Sequence, residues 1–221
     1  MQRDNGSFVA KARQRLVIAA TLPASARVLE GFSGEGRIWR AAWSGFDGAC
    51  IDKVEAKARD AAAARPRWAC YSGDTERALL AGWMGHVPFD VVDLDAYGSP
   101  WPFFLAWCRS TRERATVTHV FLTDGYMDHA DFTPRCRALF PSELGKRGDM
   151  PREVYLEHVR HAMDHWTIAF GATVEEFRTD SGRRPKVGGK TMRLHYARLS
   201  IPSNEGCRDD GAGAAHTDGI S

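Results

Sequence analysis

The sequence predicts an α/β fold built on a doubly wound, seven-stranded and mainly parallel sheet. Two observations indicate this class: short apolar segments alternate with helix-like segments along most of the chain, and two alternating segments near the end are joined by a turn. With 221 residues, 43% of them hydrophobic, the chain is long enough to bury one core. We therefore expect a single α/β domain.

The predicted strands are apolar runs that end in glycine or acidic residues. They cover residues 26–32, 48–52, 67–74, 89–95 and 116–125. The helices between them are indicated by alanine and charged residues at helical spacing: 8–20, 36–43, 53–65, 75–85 and 151–166. A further helix is predicted to begin at Pro100 with Ser99 as its cap, because proline is favoured in the first helical turn.

The last two strands differ from the others because they are predicted to pair with each other. Residues 171–180 and 189–201 alternate between apolar and polar side chains, and the connection between them is rich in glycine and basic residues. This pattern predicts an antiparallel hairpin that closes the sheet, so the last strand is expected to be antiparallel.

The chain is predicted to divide into a helical segment over 1–25, the α/β domain over 26–202, and a tail over 203–221 that has too little apolar content to pack.

The five cysteines of the chain are odd in number and widely spaced, which favours neither a disulfide framework nor a zinc ribbon. No apolar run approaches ~20 residues. The sequence therefore indicates a cytoplasmic protein, and the net charge of +2 does not by itself indicate a nucleic-acid partner.

A glycine-rich loop follows the first predicted strand, in the sequence VLEGFSGEG. A dinucleotide-binding loop needs a small residue where this chain has Trp39. A phosphate-binding loop needs lysine followed by serine or threonine, where this chain has Arg37 and Ile38. Both of these functions are therefore disfavoured for the loop.

Acidic residues end the first three predicted strands: Glu30, Asp52 and Asp74. An acid at the position of Asp52 can accept hydrogen bonds from both hydroxyls of a ribose. Each aspartate can instead cap the helix that follows it, since aspartate is favoured at helix N-termini. Both alternatives are open from the sequence.

The glycine loop resembles motif I of the class I S-adenosylmethionine-dependent methyltransferases, in which an acid precedes closely spaced glycines. Phe32 resembles the variant common in nucleic-acid amino-methyltransferases. The resemblance implies S-adenosylmethionine as cofactor, with Glu30 at its amino group and Asp74 at its adenine. The full set of cofactor-binding residues that we predict is Glu30, Phe32, Ser33, Gly34, Gly36, Asp52, Lys53, Asp74 and Asp93.

The segment DLDAYGSP resembles motif IV of amino-group methyltransferases and is similar to the form found in tRNA guanine-N2 dimethyltransferases. The resemblance implies two catalytic residues: Asp95, which would accept a hydrogen bond from the acceptor amine, and Tyr97, which would stack on a base. Ala96 stands where the family has proline. Asp93 has two alternatives, a place in the cofactor pocket or a buried ion pair.

The predicted function is methyl transfer to an amino group, with a nucleic-acid base as the leading acceptor. The alternatives are a small-molecule methyltransferase and a cofactor-binding scaffold, which Ala96 would favour. No metal is expected, although His158, His161 and His165 recur along one helix. RNA or DNA phosphates would contact the basic residues of the hairpin, which could equally form a solvated loop: Arg178, Arg183, Arg184, Lys186, Lys190 and Arg193.

Overall fold

The computed structural model describes residues 8–96, 98–110, 112–125, 152–182 and 192–201. Several predictions fall outside these residues: those for Tyr97, for the basic residues at 183–190, and for the tail over 203–221. These stay predictions from the sequence.

Seven strands form one sheet, in the order β3-β2-β1-β4-β5-β7-β6. Their bounds are β1 Arg27–Glu30, β2 Asp47–Asp52, β3 Trp68–Ser72, β4 Val91–Leu94, β5 Val117–Asp124, β6 Thr173–Gly182 and β7 Met192–Ser200. Strands β1 to β5 are parallel to their neighbours, and β7 is antiparallel to both β5 and β6. The predicted fold class and the closing hairpin are confirmed.

The helices are α1 Phe8–Ala19, α2 Glu55–Ala64, α3 Thr75–Leu80, α4 Trp101–Arg109 and α5 Arg152–Ile168. The segment predicted as a helix over 36–43 forms a short π-helix at Trp39–Trp43. The predicted start of α4 is wrong by one residue, since Pro100 lies at the cap position. Pro102 takes the second helical position, where the missing N–H costs no intrahelical hydrogen bond.

Two apolar clusters cover the two faces of the sheet. Alternate strand residues such as Leu29 and Leu94 contact the cluster formed with α3, α4 and α5. Their neighbours, such as Val28 and Val91, contact the cluster that includes α1, the π-helix and α2. This two-sided burial explains why the strands are continuous apolar runs rather than alternating ones.

The parallel arrangement brings the carboxyl ends of β1, β2, β4 and β5 to one edge of the sheet. Backbone hydrogen bonds tie the loops that follow these strands to one another. The N–H of Gly31 donates to Asp93 O over 2.9 Å, and that of Gly125 donates to Gly98 O over 2.9 Å. Ligands of doubly wound sheets bind at such an edge, which makes this edge the candidate site. Among the described residues, no helix has both the length and the apolar character needed to span a membrane.

Candidate active site

The glycine loop after β1 is shaped by the carboxylate of Asp52 at the end of β2. Asp52 Oδ2 accepts hydrogen bonds from the Gly34 N–H at 3.0 Å and from Ser33 Oγ at 3.3 Å. Asp52 Oδ1 accepts from the N–H of Val54 at 2.9 Å. The predicted ribose-binding acid therefore also fixes the backbone of the loop that would face the cofactor.

Two glycines give the loop a backbone path that other residues rarely follow. Gly34 has φ +48° and Gly36 has φ +68°, both in the left-handed region. A β-carbon at Gly34 would meet no atom within 4 Å, so open space lies beside this backbone. At Gly36 a β-carbon would lie 3.1 Å from Nη2 of Arg65. An open cradle beside a carboxylate fits a ligand that carries hydroxyl groups.

Glu30 lies beneath this loop and is only 2% exposed. Its carboxylate forms an ion pair with Arg65, whose guanidinium also lies 4.9 Å from the ring centroid of Trp39. Burial raises the pKa of Glu30, while the positive charge of Arg65 opposes this shift and favours the ionised form of the pair. Glu30 is thus enclosed by protein groups in this structure, and its predicted contact with the cofactor stays a prediction.

The remaining predicted cofactor residues lie along the same edge of the sheet. Asp74 is exposed and caps α3, since its Oδ1 accepts from the N–H of Arg77 at 2.9 Å. The ring of Phe32 meets that of Phe103 edge-on, with centroids 4.7 Å apart. Lys53 is exposed next to Asp52. In this structure Asp74 therefore acts as the N-cap of α3, which is one of the two alternatives predicted for it.

Asp93 forms a fully buried ion pair. Its two oxygens accept from Nε and Nη2 of Arg15, each at 2.6 Å, and the indole N–H of Trp43 donates to Oδ2 at 2.9 Å. Both ion-pair partners are 0% exposed. Of the two alternatives for this residue, the contacts are those of the buried ion pair, and a contact between Asp93 and the cofactor stays a prediction.

Asp95, the predicted catalytic acid, lies just beyond the end of β4. Lys11 Nζ lies 2.6 Å from its Oδ1, and the two side chains are 13% and 17% exposed, respectively. Burial would raise the pKa of Asp95, but the positive charges of Lys11 and Arg15 outweigh it and hold the pKa below its usual value. The carboxylate is therefore ionised at neutral pH and can accept further hydrogen bonds.

Three cations that the sequence analysis did not select complete this edge: Lys11, Arg15 and Arg65. The sequence carries one weak signal for the first two. They lie four residues apart, so they share a face of α1, on a helix whose exposed side carries Val9, Leu16 and Val17. A helix with cations on its buried face indicates acidic partners, but not which acids these are.

A second buried polar group adjoins the loop after β4. Asp124, at the end of β5, accepts from the indole N–H of Trp101 at 2.9 Å and lies 4.0 Å from Nε2 of His195. His195 Nδ1 is hydrogen-bonded to Thr179 Oγ1 at 2.8 Å. Burial lowers the pKa of His195 to about 4, so this imidazole is neutral at pH 7. The group stabilises the closing hairpin against β5.

The described part of the basic hairpin does not present its arginines uniformly to solvent. The Arg178 guanidinium lies 4.4 Å from the ring centroid of Tyr196, and Arg193 is only 8% exposed. Phosphate contacts of the hairpin's basic residues stay a prediction from the sequence. Within the described residues, no cluster of three or more histidine, cysteine, aspartate or glutamate side chains is arranged to hold a metal.

Comparisons with known proteins identify the fold class. No protein-family model and no curated protein sequence matches the chain. Among solved structures, M. jannaschii TYW2 in complex with AdoMet has a TM-score of 0.61 at 8% identity, with 91% of this chain and 79% of that chain covered. The chain therefore shares its fold with a protein solved in complex with AdoMet and with a solved SAM-dependent methyltransferase from Leishmania major.

Two other solved structures share this fold. A candidate RNA methyltransferase from Pyrococcus horikoshii has a TM-score of 0.52 at 12% identity, with 87% of this chain and 84% of that chain covered. A structure that concerns conversion of a disulfide bond into a thioacetal group in echinomycin biosynthesis has a TM-score of 0.51 at 20% identity. That alignment covers 92% of this chain and 87% of the other. At these identities the likeness establishes the fold alone.

Proposed function

We propose that this protein is an S-adenosylmethionine-dependent methyltransferase that acts on an amino group, with a nucleic-acid base as the preferred acceptor. One observation carries the proposal: the left-handed glycine loop after β1 and Asp95 after β4 lie at the carboxyl ends of two adjacent strands. A ligand held by the loop and an acceptor held by Asp95 would therefore be neighbours.

The residues proposed to hold the cofactor are Gly34, Gly36 and Asp52, with Asp74 at the next strand end. Gly34 leaves its backbone open to a close approach. Asp52 keeps about one acceptor position for a hydroxyl group, since a carboxylate offers about four lone-pair positions and three hydrogen bonds within the protein are already made. S-adenosylmethionine supplies a methyl group on a sulfonium, which a nitrogen lone pair can attack. Glu30 and Asp93 would support the loops from the protein side, because both are enclosed by cationic partners.

Asp95 is proposed to orient the acceptor. Its carboxylate would accept a hydrogen bond from the amine and direct the nitrogen lone pair toward the methyl group. In such a displacement the protein acts mainly by aligning the two reactants and excluding water. Gly98, with φ +110°, gives the following loop a left-handed turn that lets the backbone approach a planar base. Tyr97 is proposed to stack on that base.

A nucleic-acid base is preferred as acceptor because the DLDAYGSP segment is similar to motif IV of base-modifying enzymes. The basic residues at 183–190 would supply phosphate contacts. A small-molecule acceptor is the second candidate. It is favoured by the net charge of only +2, and the fold similarity extends to a structure from echinomycin biosynthesis. The third candidate is a cofactor-binding scaffold, which is favoured by Ala96 at the position where the family has proline.

The test is a transfer screen with tritiated S-adenosylmethionine against tRNA, rRNA, DNA and a metabolite extract. We expect label in a nucleic-acid fraction. Asp95→Ala should lower the rate at least tenfold with little change in cofactor affinity, because alanine offers no acceptor for the amine hydrogen. The matched control is Asp90→Ala, at the other end of the same strand, where the carboxylate accepts from the Arg27 N–H.

The outcomes separate the candidates. Label in the metabolite fraction alone would select the small-molecule function. An active enzyme whose rate is unchanged by Asp95→Ala would place the chemistry elsewhere. Absence of transfer, with Ala96→Pro also inactive and the cofactor bound, would leave the scaffold role.

A further inference from the structure

Two ion pairs link α1 to the end of β4, and they differ in exposure. The pair of Arg15 with Asp93 is sealed, with both side chains 0% exposed. The pair of Lys11 with Asp95, one helical turn away, has side chains 13% and 17% exposed. The first pair is therefore structural, whereas a ligand can reach the second.

The open pair presents a donor next to an acceptor. Lys11 Nζ carries three N–H groups, of which one is directed at Asp95 Oδ1 at 2.6 Å. The Asp95 carboxylate also interacts with the Thr123 hydroxyl, and it keeps further lone pairs. A group that offers an N–H beside a lone pair can bond to both partners at once. An exocyclic amine beside a ring nitrogen or carbonyl on a heteroaromatic ring has this form.

The same pair disfavours another class of amine. A lone carboxylate at this position would attract an alkylammonium group. Here the charge of Asp95 is already balanced by Lys11, while the neighbouring charges of Arg15 and Asp93 balance each other. A cationic amine would meet repulsion from Lys11, and its attraction to Asp95 would be weakened.

We infer that Lys11 and Asp95 together form the acceptor-recognition pair of this site. The pair selects neutral heteroaromatic amines with an adjacent lone pair and rejects alkylammonium groups. This inference rests on the proposed function and defines its substrate class. Lys11 acts as a specificity determinant, supplied by a helix that precedes the first strand.

The experiment compares the wild-type protein with the variants Lys11→Met and Lys11→Arg. Guanosine, adenosine and cytidine serve as heteroaromatic acceptors, and spermidine serves as the alkylammonium acceptor. For Lys11→Met we expect KM for the nucleoside to rise roughly ten- to a hundredfold, as for a lost charged hydrogen bond, and methylation of spermidine to appear. Lys11→Arg, which keeps the charge and the donor, should retain the wild-type preference.

Two controls separate recognition from folding and from turnover. The urea midpoint and the affinity for S-adenosylhomocysteine report whether Lys11→Met is folded. Calorimetric titration of each nucleoside into protein saturated with S-adenosylhomocysteine should show the same loss of affinity without any chemistry. A folded Lys11→Met protein with an unchanged preference would overturn the inference while the proposed function stands. Failure of every variant to methylate either class would overturn the proposed function itself.

Discussion

Replacement of Arg15 by methionine tests whether the sealed ion pair holds α1 on the sheet. The change removes two hydrogen bonds of 2.6 Å to Asp93 and leaves that carboxylate with the hydrogen bond donated by the Trp43 indole N–H at 2.9 Å. Loss of one partner of a buried pair costs about 3–5 kcal/mol, because the remaining charge stays desolvated. We expect the free energy of unfolding to fall by about that amount.

The assay is urea unfolding followed by circular dichroism at several pH values. An unpaired buried carboxylate has a raised pKa, so the folded variant binds more protons than the unfolded chain. The difference in stability between Arg15→Met and the wild-type protein should therefore shrink as the pH falls toward about 5. The double variant Arg15→Met/Asp93→Leu should recover most of the loss, since an apolar pair leaves no buried charge.

The matched control is Arg59→Met. Arg59 pairs with Glu55 on the surface of α2, with side chains 75% and 74% exposed, so its loss should cost less than about 1 kcal/mol. If Arg15→Met costs no more than this control, the sealed pair does not hold α1 and the reasoning is refuted.

Three further predictions test the loop, the hairpin and the partner. Gly36→Ala should lower the free energy of unfolding by about 1–2 kcal/mol and weaken cofactor binding, because φ is +68° at this residue. The control is Gly45→Ala, which has open space around it and should have little effect. Equal urea midpoints for the two variants would contradict this prediction. His195 should contribute a loss of roughly 3 kcal/mol to wild-type stability between pH 6.5 and about 4, because the folded imidazole resists protonation. His195→Gln should reduce that loss in urea titrations, and an unchanged loss would refute the assignment. Neutralising the three basic residues of 183–186 should lower the slope of log affinity for RNA against log salt by roughly two to three units, and an unchanged slope would exclude phosphate contacts there.

The sheet could be predicted from the sequence because its signals are local. Each parallel strand is an apolar run closed by a glycine or an acid, and the hairpin strands alternate. The parallel arrangement then places Glu30 and Asp52 at one edge without further information. The π-helix was not distinguishable from an α-helix, because both have closely similar side-chain periodicity in so short a segment.

The partners of the acids could not be predicted, because they come from distant parts of the chain. Lys11 and Arg15 lie 84 and 78 residues before the aspartates they contact, and no local pattern encodes such a pairing. For Asp74 the local helix-capping alternative was visible in the sequence, and the structure contains that cap. The sequence was thus sufficient to predict the local cap, whereas the ion-pair partners of the acids became visible only in the folded structure.

The measurement that tests the account most directly is calorimetric titration with S-adenosylhomocysteine and NAD of the wild-type protein and the Asp52→Asn variant. S-adenosylhomocysteine should bind and NAD should not, because Trp39 stands where a dinucleotide loop needs a small residue. Asp52→Asn should weaken the binding of S-adenosylhomocysteine by ~1–3 kcal/mol, since the substitution removes a hydrogen-bond acceptor from both the loop and the ribose. Tighter binding of NAD than of S-adenosylhomocysteine, or no binding of S-adenosylhomocysteine at all, would contradict the account.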